Sequence, residues 1–185
     1  DLKNIKRKLH IPLNLEMAPT KEMLKIALKN KPSYVCIVPE KRSEVTTEGG
    51  LNLNKKINFL KEIIKKLKTA NIRVSLFIEP NISDIKRSKK IGADCIELHT
   101  GKYCNLSNNN KKKIDEFLRI KKSAIYAEKN SLEVHAGHGL TYKTAHEISK
   151  INSISEFNIG HFIIAESVFI SLKKSIIKFK KIINK

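Results

Sequence analysis

Short apolar runs alternate with helix-periodic stretches along nearly the whole chain, and this alternation constrains the fold more than any other feature. The runs 12–17 (PLNLEM), 33–38 (SYVCIV), 73–79 (RVSLFIE), 94–100 (DCIELHT), 132–136 (LEVHA) and 156–160 (EFNIG) read as strands. Between them, 1–10 place Leu2, Ile5 and Leu9 on one helical face, and 20–29 follow the N-cap residue Thr20. Helices are also predicted over 53–69, 83–90, 109–129, 141–150 and 166–184, with Ile114, Phe117, Leu118 and Ile125 as the apolar positions of the longest. Strand–helix repetition predicts parallel strands joined by right-handed crossovers.

Two parallel architectures fit that order. In an open doubly wound sheet the central strands are buried on both faces and read as apolar throughout. Here the strands carry a polar parity instead: Asn14 and Glu16; Arg73, Ser75 and Glu79; Cys95, Glu97 and His99; Glu133 and His135; Glu156 and Asn158. Helices outside and a polar interior are the arrangement of a TIM (β/α)8 barrel, whose site lies at the C-terminal ends of the strands. Six of the seven glycines follow strands, where tight turns and close approach to a ligand are needed. Only six strands are legible against the eight of a closed barrel. The expectation is therefore one barrel domain over 1–185, lacking an opening strand–helix–strand block.

Composition narrows the function classes. A net charge of +19 suggests a polyanion partner, but lysine, asparagine and isoleucine dominate together, as A/T-rich codons produce, and the lysines are spread over nearly every helix. With aromatics at 6 % and no Trp, a base-stacking surface is poorly supplied, which argues against nucleic acid. No apolar run spans a membrane, so a soluble cytoplasmic protein is expected. Cys36, Cys95 and Cys104 are odd in number without C-x-x-C spacing and read as reduced, mostly buried thiols.

Chemistry concentrates where strands end. Glu16 lies near one strand end, where a dry carboxylate acts as acid or base. The polar stretch 38–50 (VPEKRSEVTTEGG) contains Thr46 and has the length of a lid. CIELHTGKY supplies Glu97, His99 and Gly101. EVHAGHGL supplies His135, and His138 between Gly137 and Gly139. Acid–base and anion-loop readings suit that segment best, and a metal held by His135 and His138 with Glu97 or Glu133 stays open on the residues alone. FNIGH places Gly160 and His161 at a helix start, where backbone N–H groups bind phosphate.

In series, NLEMAPT, VPEKRSEVTTEGGL, VSLFIEP, IELHTGKY, EVHAGHGLTY and FNIGHFII resemble the pyridoxine 5′-phosphate synthases of vitamin B6 biosynthesis. The resemblance runs over essentially the whole chain. It implies a (β/α)8 barrel assembled as a homo-octamer, and no metal or organic cofactor. The implied reaction condenses 1-deoxy-D-xylulose 5-phosphate with 3-amino-2-oxopropyl phosphate to give pyridoxine 5′-phosphate, phosphate and water. By motif, Glu16 resembles the proton acceptor, His138 the proton donor and Glu97 the carboxylate that stabilises charged intermediates. Thr46 resembles a ligand of the deoxyxylulose phosphate, and Gly139, Gly160 and His161 resemble the site of the aminoketone phosphate. The family's opening block, with an Asn-Ile-Asp-His stretch and a further His with Arg partners, has no match here. The expectation is that this chain alone is inactive. The alternatives are a non-catalytic polyanion-binding remnant and another phosphate-handling TIM-barrel enzyme.

Overall fold

A computed structural model describes residues 1–39, 49–54, 57–107 and 111–183. Among them the strands are β1 (Asn14–Met17), β2 (Tyr34–Ile37), β3 (Arg73–Ile78), β4 (Cys95–His99), β5 (Glu133–Gly137) and β6 (Glu156–Asn158). The helices are α1 (Leu2–Lys8), α2 (Lys21–Asn30), α3 (Ile57–Thr69), α4 (Ile82–Lys90), α5 (Gly101–Cys104), α6 (Lys111–Lys129), α7 (Tyr142–Ile148), α8 (His161–Ile170) and α9 (Leu172–Ile183). All six expected strands form, and they line up in chain order, β1-β2-β3-β4-β5-β6. The β1–β2, β2–β3 and β5–β6 pairs are parallel. An order that never reverses is the winding of a (β/α) barrel; a doubly wound sheet has a switch point. The fold is α/β of the TIM-barrel type, with six strands among the described residues.

The chain divides into two compact units, Asp1–Glu97 and Leu98–Lys185. In the first, Val35, Cys36, Ile37, Val74, Leu76 and Ile78 are fully buried on β2 and β3. Helix α3 buries Leu60, Ile63, Ile64 and Leu67, the stripe expected from their spacing. Each such side chain contributes about 1.5–3 kcal/mol of transfer free energy. Thr20 and Asn81 cap α2 and α4 by accepting from Met23 N and Asp84 N. Helix α1 departs from expectation. It buries no residue, and Ile5 and Leu9 are 49 % and 37 % exposed. What holds it is Lys6 Nζ, which donates to Asn30 O and Lys31 O, a cation on the C-terminal carbonyls of α2.

The second unit corrects two expectations. In α6 two of the expected apolar positions are not buried: Ile114 and Leu118 are 62 % and 53 % exposed. The buried face is Lys113, Glu116, Ile120, Ser123, Ala124 and Ala127. Small residues let that helix approach β5 closely, and its charges are neutralised locally. Arg119 and Lys102 pair with Glu116, and Lys113 pairs with Glu147. The expected closing helix is two helices, α8 and α9, broken at Ser171, whose φ of 75° is outside the helical range. Helix α8 buries no residue and exposes Ile164, Val168 and Phe169. Tyr142, Phe162 and Phe179 form one aromatic cluster that ties α7, α8 and α9 together, with ring centroids 4.5–5.8 Å apart. No described helix is long and apolar enough to cross a membrane.

Candidate functional site

In the first unit the polar parity of the strands becomes a row of side chains. Register places Glu16 beside Cys36, and Cys36 beside Ser75. Glu16 is exposed, whereas Cys36, Ser75 and Glu97 are 0 %, 4 % and 4 % exposed. The Cys36 thiol donates to Glu97 Oε2 at 3.3 Å. Burial first, then the charges of Glu97 and Glu16, hold that thiol well above its ordinary pKa, so it stays protonated and remains a donor. Cys36 is buried as expected, but it serves as a polar member of the row.

The end of β3 is bound to the segment after the long polar stretch. Leu51 N donates to Phe77 O at 2.8 Å and Gly50 N to Glu79 Oε1 at 3.3 Å. A Cβ on Gly50 would lie 2.4 Å from Glu79 N, so only glycine fits there. Thr46 lies outside the described residues.

In the second unit His138 follows β5 with φ +77°, a left-handed conformation that costs a non-glycine residue about 1–2 kcal/mol. Thr100 offsets this cost. Its Oγ1 lies 2.8 Å from Gly137 O and 2.7 Å from His138 O, and its N–H donates to Gly137 O at 2.9 Å. The His99 and His138 rings lie 5.0 Å apart, and a Cβ on Gly101 would sit 2.6 Å from His138 Cδ2 and 2.7 Å from His99 Nε2. Gly139, with φ +76°, would bring a Cβ to 3.1 Å from Cys104 Cβ. At Gly101 and Gly139 an added side chain would thus meet protein. Gly160 differs: a Cβ there would meet nothing within 4 Å. It is the N-cap of α8 with no side-chain cap, which leaves the first N–H groups of that helix without one. His161, at the first position of α8, is exposed.

Helix α5, which carries Gly101, is anchored from below. Tyr103 Oη donates to Glu147 Oε2 at 2.5 Å, and Lys113 Nζ lies 4.8 Å from the Tyr103 ring and 3.4 Å from Glu147 Oε2. Burial first, then Glu147, raises the Tyr103 pKa. Burial acts to raise that of Glu147, but the Tyr103 hydrogen bond and Lys113 outweigh it and lower it.

His135 is not at the strand end. It is buried in mid-strand, its Nε2 is 2.9 Å from Glu133 Oε1, and its Nδ1 is 3.6 Å from Glu156 Oε1. Among the described residues, Glu133, His135 and Glu156 are the donors close enough together to share a cation; His138 is not among them. The grouping of His135 with His138 that the residues alone left open is therefore not formed among the described residues. Thr100 and the hydrogen-bonding role of Cys36 were missed. The signal for Cys36 was its parity with Glu16; none marked Thr100, whose partners are two carbonyls distant in sequence.

Strands in chain order with helices between them define a TIM-barrel-type α/β protein. A family model described as "Pyridoxal phosphate biosynthesis protein PdxJ" matches residues 1–185. The chain is 54 % identical over 185 residues to the pyridoxine 5′-phosphate synthase of Pelagibacter ubique, covering 100 % of this chain and 77 % of that protein. It is 53 % identical over 174 residues to the synthase of a Sulfurihydrogenibium species, covering 94 % and 71 %. Among solved structures, an aldolase titled 4-hydroxy-2-oxoglutarate aldolase from TTHB1 superposes with a TM-score of 0.63 at 10 % identity, covering 99 % of this chain and 74 % of that one. A xylose isomerase domain protein from Planctomyces limnophilus superposes with a TM-score of 0.57 at 12 % identity, covering 96 % and 73 %. These two likenesses concern the fold alone. The chain belongs to the PdxJ family, an enzyme family of vitamin B6 biosynthesis.

Proposed function

We propose that this protein acts as a pyridoxine 5′-phosphate synthase, joining 1-deoxy-D-xylulose 5-phosphate to 3-amino-2-oxopropyl phosphate with release of phosphate and water. The observation that carries this reading is His138, held in a strained left-handed turn by Thr100 and confined by Gly101. Of the five described non-glycine residues with positive φ, His138 is the one that directly follows a strand, and strain of this kind clusters at functional sites. Imine formation, phosphate elimination, dehydration and ring closure each move protons, so a donor and an acceptor are both required. His138 is the donor and Glu16 the acceptor, and Glu97 stabilises positive charge on nitrogen-bearing intermediates. Gly139, Gly160 and His161 hold the aminoketone phosphate, which the uncapped start of α8 supports. Thr46 holds the deoxyxylulose phosphate. A homo-octamer is the proposed assembly, and the exposed apolar residues of α8 supply surface for it.

The test is formation of pyridoxine 5′-phosphate from the two phosphorylated substrates, with Glu16→Gln, Glu97→Gln and His138→Asn compared with the unmodified protein. Each substitution is expected to lower kcat at least about 100-fold, as loss of a general acid or base does. Full turnover in all three variants would overturn the assignment.

A further inference from the structure

We propose that Cys36 is a positioning residue for Glu97, its thiol holding the carboxylate in place and charged by a hydrogen bond to Oε2. This rests on the reading of Glu97 as the stabilising carboxylate. Three observations lead to it. Cys36 occupies the polar parity of β2, in register with Glu16 on β1 and Ser75 on β3, so its sulfur points where the chemistry-bearing side chains point. The S···O distance of 3.3 Å is a hydrogen bond, and neither partner has water to replace it, being 0 % and 4 % exposed. The thiol also has carboxylates on both sides, Glu97 and Glu16. A thiolate there would add a third negative charge beside two carboxylates, at a sulfur that is itself fully buried. Cys36 is thus neither a nucleophile nor a metal ligand but a neutral donor, a role a buried thiol fills despite its weakness. Donation to a carboxylate favours its charged form.

The inference separates Cys36 from a core cysteine, for which alanine or valine would serve. Replacing Cys36 with Ala removes the donor and leaves the Glu97 carboxylate with one partner fewer. Replacing it with Ser keeps a donor. Expected for Cys36→Ala is a kcat lower by roughly 10–100-fold with little change in KM, a hydrogen bond to a charged group being worth about that factor. The acidic limb of its pH–rate profile moves to higher pH, because Glu97 loses a group that favours its charged form. Cys36→Ser returns both kcat and the limb most of the way.

Infrared spectroscopy gives a readout independent of turnover. The S–H stretching band that disappears in Cys36→Ser should lie at the hydrogen-bonded, low-frequency side of the thiol region, and Glu97→Gln should shift it upward. A band unmoved by Glu97→Gln, or a Cys36→Ala profile superimposed on that of the unmodified protein, overturns the proposal. If Glu97→Gln shifts the band but keeps full kcat, the role given to Glu97 fails, and the positioning role falls with it although the hydrogen bond stands. Thermal melts of each variant keep a folding defect from passing as either result.

Discussion

The closest fit in the second unit is Gly101 against the rings of His99 and His138, and it makes Gly101→Ala the most informative substitution. An added Cβ would stand 2.6 Å from His138 Cδ2 and 2.7 Å from His99 Nε2. To restore ordinary contact each ring atom must retreat by roughly 0.8 Å. His99 is only 4 % exposed and enclosed by protein, so it has nowhere to go. His138 is partly exposed, and the displacement falls on it. Overpacking of this kind costs about 1–3 kcal/mol. For a chain of this size that is a Tm lower by roughly 2–12 °C, at about 2–4 °C per kcal/mol. With His138 as the proton donor proposed above, a displacement of most of an ångström should cost about 100-fold in kcat. Thermal unfolding, histidine ring resonances in a proton–carbon NMR correlation and the synthase assay read the three effects separately. Gly160→Ala is the control, since its Cβ would meet open space and Tm should stay within about 1 °C. An unchanged Tm together with unshifted His99 and His138 resonances in Gly101→Ala would refute the reasoning.

Three further outcomes are expected. Thr100→Val strips a donor from Gly137 O and His138 O, and should cost about 1–3 kcal/mol in chemical denaturation and speed amide exchange over 137–139. His138→Asn should keep nearly full stability while His138→Ala loses about 1 kcal/mol more, because asparagine tolerates positive φ; equal Tm values would show that the left-handed backbone carries no strain. The third concerns pH. Glu147 has a lowered folded pKa, so its contribution is present above the unfolded carboxylate value and is lost as pH falls through the folded one. With the group partly solvated, the effect is under about 1 kcal/mol. Tyr103→Phe should flatten the fall of Tm with acidification, and an unaltered slope would argue against the coupling.

The fold was legible because strands and helices impose different periods on the same apolar alphabet. The six strands and α3 could be read directly, since β-runs and the stripe Leu60, Ile63, Ile64, Leu67 leave little choice. Helix α6 was misread because its buried face relies on alanine, serine and locally neutralised Lys113 and Glu116, which no hydropathy pattern marks as interior. The break at Ser171 was invisible for a similar reason: positive φ at a serine has no compositional signal. In the sequence, the strand-borne Glu97 and the glycine-flanked His138 announced themselves as candidates. Thr100 and Cys36 did not, because each matters through a partner far along the chain, 38 residues away for Thr100 and His138 O and 61 for Cys36 and Glu97.

The order of the strands in the sheet also bears on how the chain comes to be folded. Since each strand lies beside its predecessor, its partner has already been synthesised when it appears. In the first unit Glu16 meets Cys36 and Cys36 meets Ser75; in the second His135 meets Glu156. None of these pairings waits for a distant segment. Loop-closure entropy grows slowly with separation, so each addition is a modest step. Such a sheet suits growth from the amino end during translation, with every strand–helix unit docking on the one just completed.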